Sequence, residues 1–362
     1  MKTAVATKGV HTYMVKASKV FEPIVSILLA FLIGSVVILI IGQDPLTTFR
    51  TMFSGAFGSV TSVGNTLAKT TTLTLSGLSY AFAYRCGLIN IGAEGQIYMG
   101  ALSATLVVLY MPGPGVLVMS VALLAGFLGG AIWGLLVGVL KVRFGANEVI
   151  TTVMLNYVAQ YLVQWAVSGP IQDPNSDAAQ TVIFAQRYWM GNLLPGLKVN
   201  FGFLLMILCL VFFAVYLWKT TAGFGMQIVG ANQLAAAYAG ISVKKNTLMA
   251  MFVSGGFAGL AGAIEVLGVQ HRLLKGMASN FGFDGVAVAL LGYSNPFGML
   301  LAGILLGAMK SGGNAIQMFT GVPSSVVDLI RALVIVCVLV NILGRILQRV
   351  SKKQRKGVLA HA

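Results

Sequence analysis

The chain has 362 residues, of which 57% are hydrophobic and only 9% charged, with 24 Lys and Arg, 9 Asp and Glu and a mean hydropathy of +0.88. A soluble chain would carry about 25% charged residues, most of them on its exterior, so a water-soluble enzyme is excluded. The net charge of +15 does not indicate a nucleic-acid partner, because much of it flanks apolar runs and no base-stacking pattern accompanies it. Glycine, at 44 residues against about 25 for an average chain of this length, is as abundant as in closely packed or interrupted membrane helices. The expectation is an all-α polytopic membrane protein.

In chain order, residues 1–20 form a basic tail with Lys2, Lys8, Lys16 and Lys19. Apolar runs long enough to cross about 30 Å follow at 23–42, 64–84, 90–111, 115–140, 147–167, 199–218, 247–269, 296–317 and 324–344. The first is too long for the apolar core of a signal peptide and lacks a cleavage site, so it is expected to be retained. A shorter piece, 284–293, brings the count to about ten when taken as a half-helix. Ten crossings leave both termini, Lys141, Arg143, Lys219, Lys244 and Lys245 on the cytoplasmic side, as the positive-inside rule requires. The basic C-terminal tail occupies 346–362, and the membrane domain extends over 21–345.

Two hydrophilic stretches interrupt this pattern. Residues 168–198, with three prolines and the Tyr188-Trp189 pair, suit an external loop resting partly on the membrane surface. Residues 219–246 form a sizeable internal loop whose uncharged, Ala-rich middle suits a protein interface. The glycine-rich, broken segments 85–96 and 281–296 hint at pseudo-repeated halves, and paired interruptions point to a transport pathway.

Polar residues are costly within spans and read as functional by default. In 85–96 they are Arg85, Asn90, Glu94 and Gln96; Glu94 either lines a solute path or fixes the break, for example by pairing with Arg85. Asn156, Gln160 and Gln164 recur every four residues on one helix face, and Asn314 and Gln317 are three apart. These amides either join helices or line a path for a polar, uncharged solute. Asp328 and Arg331 read as a local ion pair. Cys86, Cys209 and Cys337 lack metal or redox spacing, so no metal or cofactor is expected. A phosphate-binding G-x-x-x-x-G-K-[ST] loop does not occur, so the chain is not expected to hydrolyse ATP itself.

The stretch Tyr84-Arg85-Cys86-Gly87-Leu88-Ile89-Asn90-Ile91-Gly92-Ala93-Glu94-Gly95-Gln96 resembles the F-R-x-G-L-x-N-I-G-x-E-G-Q stretch of ABC-importer permeases. Within that group it is most similar to the nucleoside and simple-sugar branch of the branched-chain amino acid and ribose permease family. Phe283 to Gly292, with Asn295-Pro296, resembles the family's second signature. The segment 223–241 is similar to the family's coupling loop. That likeness implies contact with an ATPase through Gly230, Ala231, Asn232, Ala235, Ala236, Gly240 and Ile241, with Gln227-Ile228 where the family has Arg-Ala. The resemblance implies a permease in a prokaryotic cytoplasmic membrane that imports a nucleoside or sugar-like solute. Its implied partners are an ABC ATPase subunit, a second permease subunit and an extracytoplasmic substrate-binding protein. Solute-path candidates are Asn90, Glu94, Gln96, Asn156, Gln160, Asn314 and Gln317. The residues alone also allow an ion-coupled transporter, with Glu94, Glu148, Glu265 and Asp284 as ion sites, or a membrane scaffold.

Overall fold

The computed structural model describes residues 27–194, 197–278 and 280–340. Both basic tails, the first residues of the 23–42 run and the end of the 324–344 run lie outside them. The helices are α1 (Ile27–Ile40), α2 (Pro45–Phe57), α3 (Val60–Tyr84), α4 (Ala93–Tyr110), α5 (Gly115–Phe144) and α6 (Glu148–Val167). A short antiparallel hairpin, β1 (Asn192–Leu194) and β2 (Leu197–Asn200), precedes α7 (Gly202–Lys219). Then come α8 (Thr221–Ala231), α9 (Gln233–Tyr238), α10 (Val243–Glu265), α11 (Phe281–Leu291), α12 (Pro296–Thr320) and α13 (Ser324–Val340). Among the described residues the protein is all-α apart from the hairpin and an isolated bridge between Gln180 and Leu274. Among the described residues four helices are long and apolar enough to cross a membrane: α5, α7, α12 and α10 extended by a π-helical turn to Gln270. The α1–α2 pair, bent by 118°, makes a fifth if it is one span.

Helix α3 falls short on composition rather than length. Its Thr70, Thr71, Thr72, Thr74, Ser76 and Ser79 are all buried. A hydroxyl can be buried in a helix when it returns its hydrogen bond to the preceding turn. Thr70 and Thr71 do this, to Thr66 O at 2.8 Å and Leu67 O at 2.9 Å. Helix α3 is thus an interior post, packed against α7, α10 and α11.

The chain divides into two compact units. In the unit Ala56–Ser311, α4, α5 and α10 pack backbone against backbone. A Cβ on Gly100 would overlap the Gly259 backbone, one on Gly130 the Gly255 carbonyl, and one on Gly262 the Ile97 carbonyl. Small residues permit such approach where lipid supplies no hydrophobic drive for helix association. The described part of the other unit comprises 27–55 and 312–340. There Phe31 meets Phe49 edge-on at 5.3 Å, and Arg331 pairs with Asp328 at 2.5 Å, the ion pair expected from their spacing. Helix α2 was not anticipated. Its short mixed sequence carries no span-length hydropathy, but Asp44 caps it by accepting from Leu46 N at 3.2 Å and Thr47 N at 2.9 Å.

The 168–198 stretch, expected as an external loop, is bonded to the rest of its unit. Thr181 N donates to Leu273 O at 3.0 Å, Phe184 N to His271 O at 2.8 Å and Met190 N to Leu267 O at 3.0 Å, so it is laid against the segment after α10. The Tyr-Trp pair does not project outward. Tyr188 is buried, and Trp189 stacks on His271 at 3.8 Å between ring centroids. Burial lowers the His271 pKa below the ordinary imidazole value, so the ring is neutral in this stack near pH 7.

Candidate functional site

The broken segment between α3 and α4 is held by side chains rather than left open. Asn90 Nδ2 faces Ser254 Oγ at 2.7 Å, Gln96 Oε1 at 3.0 Å and Ser79 Oγ at 3.3 Å. Its Oδ1 accepts from Gly92 N at 2.9 Å and from Gln96 Nε2 at 3.3 Å. Ser254 Oγ in turn donates to Ser79 O at 2.7 Å. Asn156, on α6, accepts from Gly95 N at 2.8 Å and donates to Ile91 O at 3.0 Å. Asn90 and Gln96 are fully buried and Asn156 nearly so. A buried amide is tolerated when its donors and acceptors are engaged, and here they replace the helical bonds lost at the break.

Glu94 does not pair with Arg85. Its carboxylate accepts from Gly282 N at 2.6 Å, in the first turn of α11, and from Asn280 N at 3.1 Å, at the cap residue before it. Arg85 instead donates to Ser294 O at 2.8 Å. Helices α4 and α11 therefore begin against one another, and a Cβ at Gly282 would overlap the Glu94 backbone. The carboxylate occupies N–H groups at the start of α11 that would otherwise be buried without a partner. Glu94→Gln keeps one acceptor but turns an amide N–H against the other donor. On the transport that the 84–96 resemblance implies, uptake should fall by at least about tenfold while the level in the membrane stays within about twofold, read by transport assay and immunoblot. Wild-type uptake would reduce Glu94 to packing.

Glu148, Glu265 and Asp284 also have partners. Glu265 accepts from Thr72 Oγ1 at 2.7 Å and Gln270 Nε2 at 3.2 Å. Asp284 pairs with Lys310 at 3.2 Å, and Glu148 with Lys141 at 2.5 Å. Lys310 also stands 4.0 Å over the Phe281 ring, and Lys69 Nζ donates to Lys310 O at 3.1 Å. Sequence reasoning missed Ser79, Ser254, Thr72, Gln270, Lys69 and Lys310. The lone Lys310 within the 296–317 apolar run was a legible signal, whereas Ser and Thr in a helix carry no sign of what they face. The remaining path candidates, Gln160, Asn314 and Gln317, are exposed on this chain.

The internal loop forms two helices. Gln227 Nε2 donates to Leu217 O at 2.8 Å, closing the end of α7. Asn232 caps α9 through Leu234 N at 2.9 Å and Ala235 N at 3.1 Å, and Gly240, at φ +76°, ends it. Ala231, Asn232, Ala235 and Gly240 are exposed and Ile241 is half-buried, while Ala236 is fully buried. Gly230 faces the break itself: a Cβ there would overlap Arg85 O, and one at Gly87 would lie 3.2 Å from Gly230 Cα.

The profile of the family described as branched-chain amino acid transport system / permease component matches residues 62–339. Among curated proteins, the chain is 36% identical to the guanosine ABC transporter permease protein NupP of Bacillus subtilis, over 89% of this chain and 94% of that one. It is 34% identical to the nucleoside ABC transporter permease protein NupB of Lactococcus lactis, over 88% and 90%. It is 32% identical to the glucose ABC transporter permease protein TsgB13 of Haloferax volcanii, over 86% and 85%. No solved structure matches the chain.

Proposed function

The chain belongs to the branched-chain amino acid transport system permease family, and from that membership we propose that it is the membrane-spanning subunit of an ABC importer for nucleosides. The observation that carries the substrate class is the similarity, over about nine-tenths of both chains, to two permeases named for guanosine and nucleoside transport. The glucose-named relative makes a sugar the second reading. A nucleoside carries a ribose, so both readings share a polyhydroxylated solute. Uptake of labelled guanosine into cells with and without the gene tests them. Adenosine and uridine should compete and leucine should not; competition by glucose alone would overturn the nucleoside reading.

In this reading the chain crosses the bilayer about ten times, with α11 as a half-helix and both termini cytoplasmic. Lys141, Arg143, Lys219, Lys244 and Lys245, all at ends of helices or beside them, support that orientation. The abutting starts of α4 and α11 support the pseudo-repeat and give it a physical sense, as two half-helices joined through Glu94. Solute passes beside this junction. Asn90, Gln96 and Asn156 hold its shape, and the exposed amides Gln160, Asn314 and Gln317 are left to meet solute or the second permease subunit. An external binding protein delivers the solute, and an ATPase subunit docks on α9. The paired acids weigh against an ion-coupled transporter, because each of the four is already engaged.

The Gly230–Gly87 contact gives the ATPase a direct mechanical route to the break. Force on α9 reaches α8, whose end touches the backbone at 85–87. Gly230→Val should keep ATPase association and lower uptake by about tenfold or more, since overpacking by even a small side chain costs roughly 1–3 kcal/mol. Co-purification and uptake measured together check it. Equal losses in both would place Gly230 in the docking surface instead.

A further inference from the structure

A groove of about 1,020 Å³ opens between α5, α7, α8 and α10, outside the solute junction. Its wall is apolar, built by Leu135, Tyr216, Phe224, Met249 and Phe252. Phe224 and Met249 are exposed, so the wall is not filled by the chain's own side chains. One end changes character: Lys244 and Lys245 stand there, both exposed, and neither forms an ion pair among the described residues. No carboxylate lines the groove. An apolar trough ending in two cations has the amphipathic pattern of one occupant, an anionic diacyl phospholipid with its chains along the wall and its phosphate at the lysines. A neutral lipid would leave both lysines uncompensated, and an amphipathic acidic peptide would have to present a wholly apolar face in the bilayer.

We propose that this groove is a binding site for an anionic phospholipid, held at its headgroup by Lys244 and Lys245. The site lies where α8 and α10 meet, so the lipid braces the root of the segment that docks the ATPase. The proposal rests on α5, α7 and α10 spanning a membrane, and flotation of the chain with vesicles tests that premise separately.

The test uses the full chain, alone and with its ATPase subunit, purified in detergent with equimolar phosphatidylglycerol and phosphatidylcholine and read by native mass spectrometry. Phosphatidylglycerol should be retained over phosphatidylcholine by roughly thirtyfold, from about 1 kcal/mol for each lysine. The double variant Lys244→Ala/Lys245→Ala should bring that preference close to one. Met249→Trp, which fills the apolar wall, should reduce retention of both lipids while the lysines remain. Equal retention of the two lipids by the wild type, or a preference that survives loss of both lysines, would overturn the proposal. Release of the ATPase from Met249→Trp with phosphatidylglycerol retention unchanged would also overturn it, and would make the groove a protein-docking surface.

Discussion

Replacing Gly259 with leucine should prevent the chain from accumulating as a folded protein. Gly259 lies where α10 meets α4 on one side and α5 on the other. A Cβ there would overlap the Gly126 carbonyl and lie 2.8 Å from Gly130 Cα, while Gly100 already presses on the Gly259 backbone. None of these neighbours is a flexible side chain that could swing away, so helix axes must separate. Overpacking a tight interior costs roughly 1–3 kcal/mol where side chains can adjust, and a branched side chain driven into the α5 backbone lies at or above the upper end. Against a total stability of about 5–15 kcal/mol, that is enough to lose most of the folded population. Membrane levels and thermal melting by size-exclusion chromatography read the effect. Gly113→Ala is the control, because its Cβ would find only ordinary contact at 3.4 Å from Val118. A Gly259→Leu chain that accumulates and melts like the wild type would refute backbone-to-backbone packing as the mainstay of this unit.

Leu234→Asp with Tyr238→Glu should release the ATPase subunit while leaving the chain in the membrane. These residues are four apart on α9, hence on one face, and are 74% and 93% exposed. A leucine and a tyrosine so exposed beside a capped six-residue helix have little role within the chain. Apolar and aromatic anchors of this kind carry a large share of interface energy, with losses of at least about 2 kcal/mol on truncation, or roughly thirtyfold in affinity. Ala236 makes the comparison informative. It was expected at the docking surface on pattern alone, yet it is 0% exposed and faces the chain's own interior. Ala236→Lys should therefore lower the membrane level, whereas Ala235→Lys, on the exposed side, should affect only association. Co-purification of the ATPase that survives the Leu234/Tyr238 change would remove α9 from the interface.

These contrasts mark how far the residues could be read in advance. Hydropathy located helices wherever polar residues did not dilute it, and the family resemblance rested on contiguous motifs that need no fold to be seen. The identity of Glu94 and Asn90 as special residues was also legible, because an acid or amide between glycines in an apolar chain is costly and stands out. Their partners were not. Glu94 accepts from amides 186 and 188 positions away, and Asn90 reaches a serine 164 positions away. Backbone N–H groups carry no residue identity, so nothing in the composition of 280–282 announces that a carboxylate will sit there. That Gln160, Asn314 and Gln317 are exposed was not legible for a related reason: helical spacing assigns a face but not what that face meets.

The sequence by itself determined the solvent and the element type. A chain with 9% charged residues cannot cover a soluble surface; in lipid its backbone must satisfy itself within helices or a closed barrel, and apolar runs of about 20 residues select helices. Its contiguous motifs also determined the family. The tertiary structure alone decided which polar groups are free to act. Burial cost forces each polar group in an apolar interior to find a partner, and the nearest partner in space is set by helix packing rather than by chain order. The glycines at the α4–α5–α10 contact bring the backbones close enough to decide that outcome.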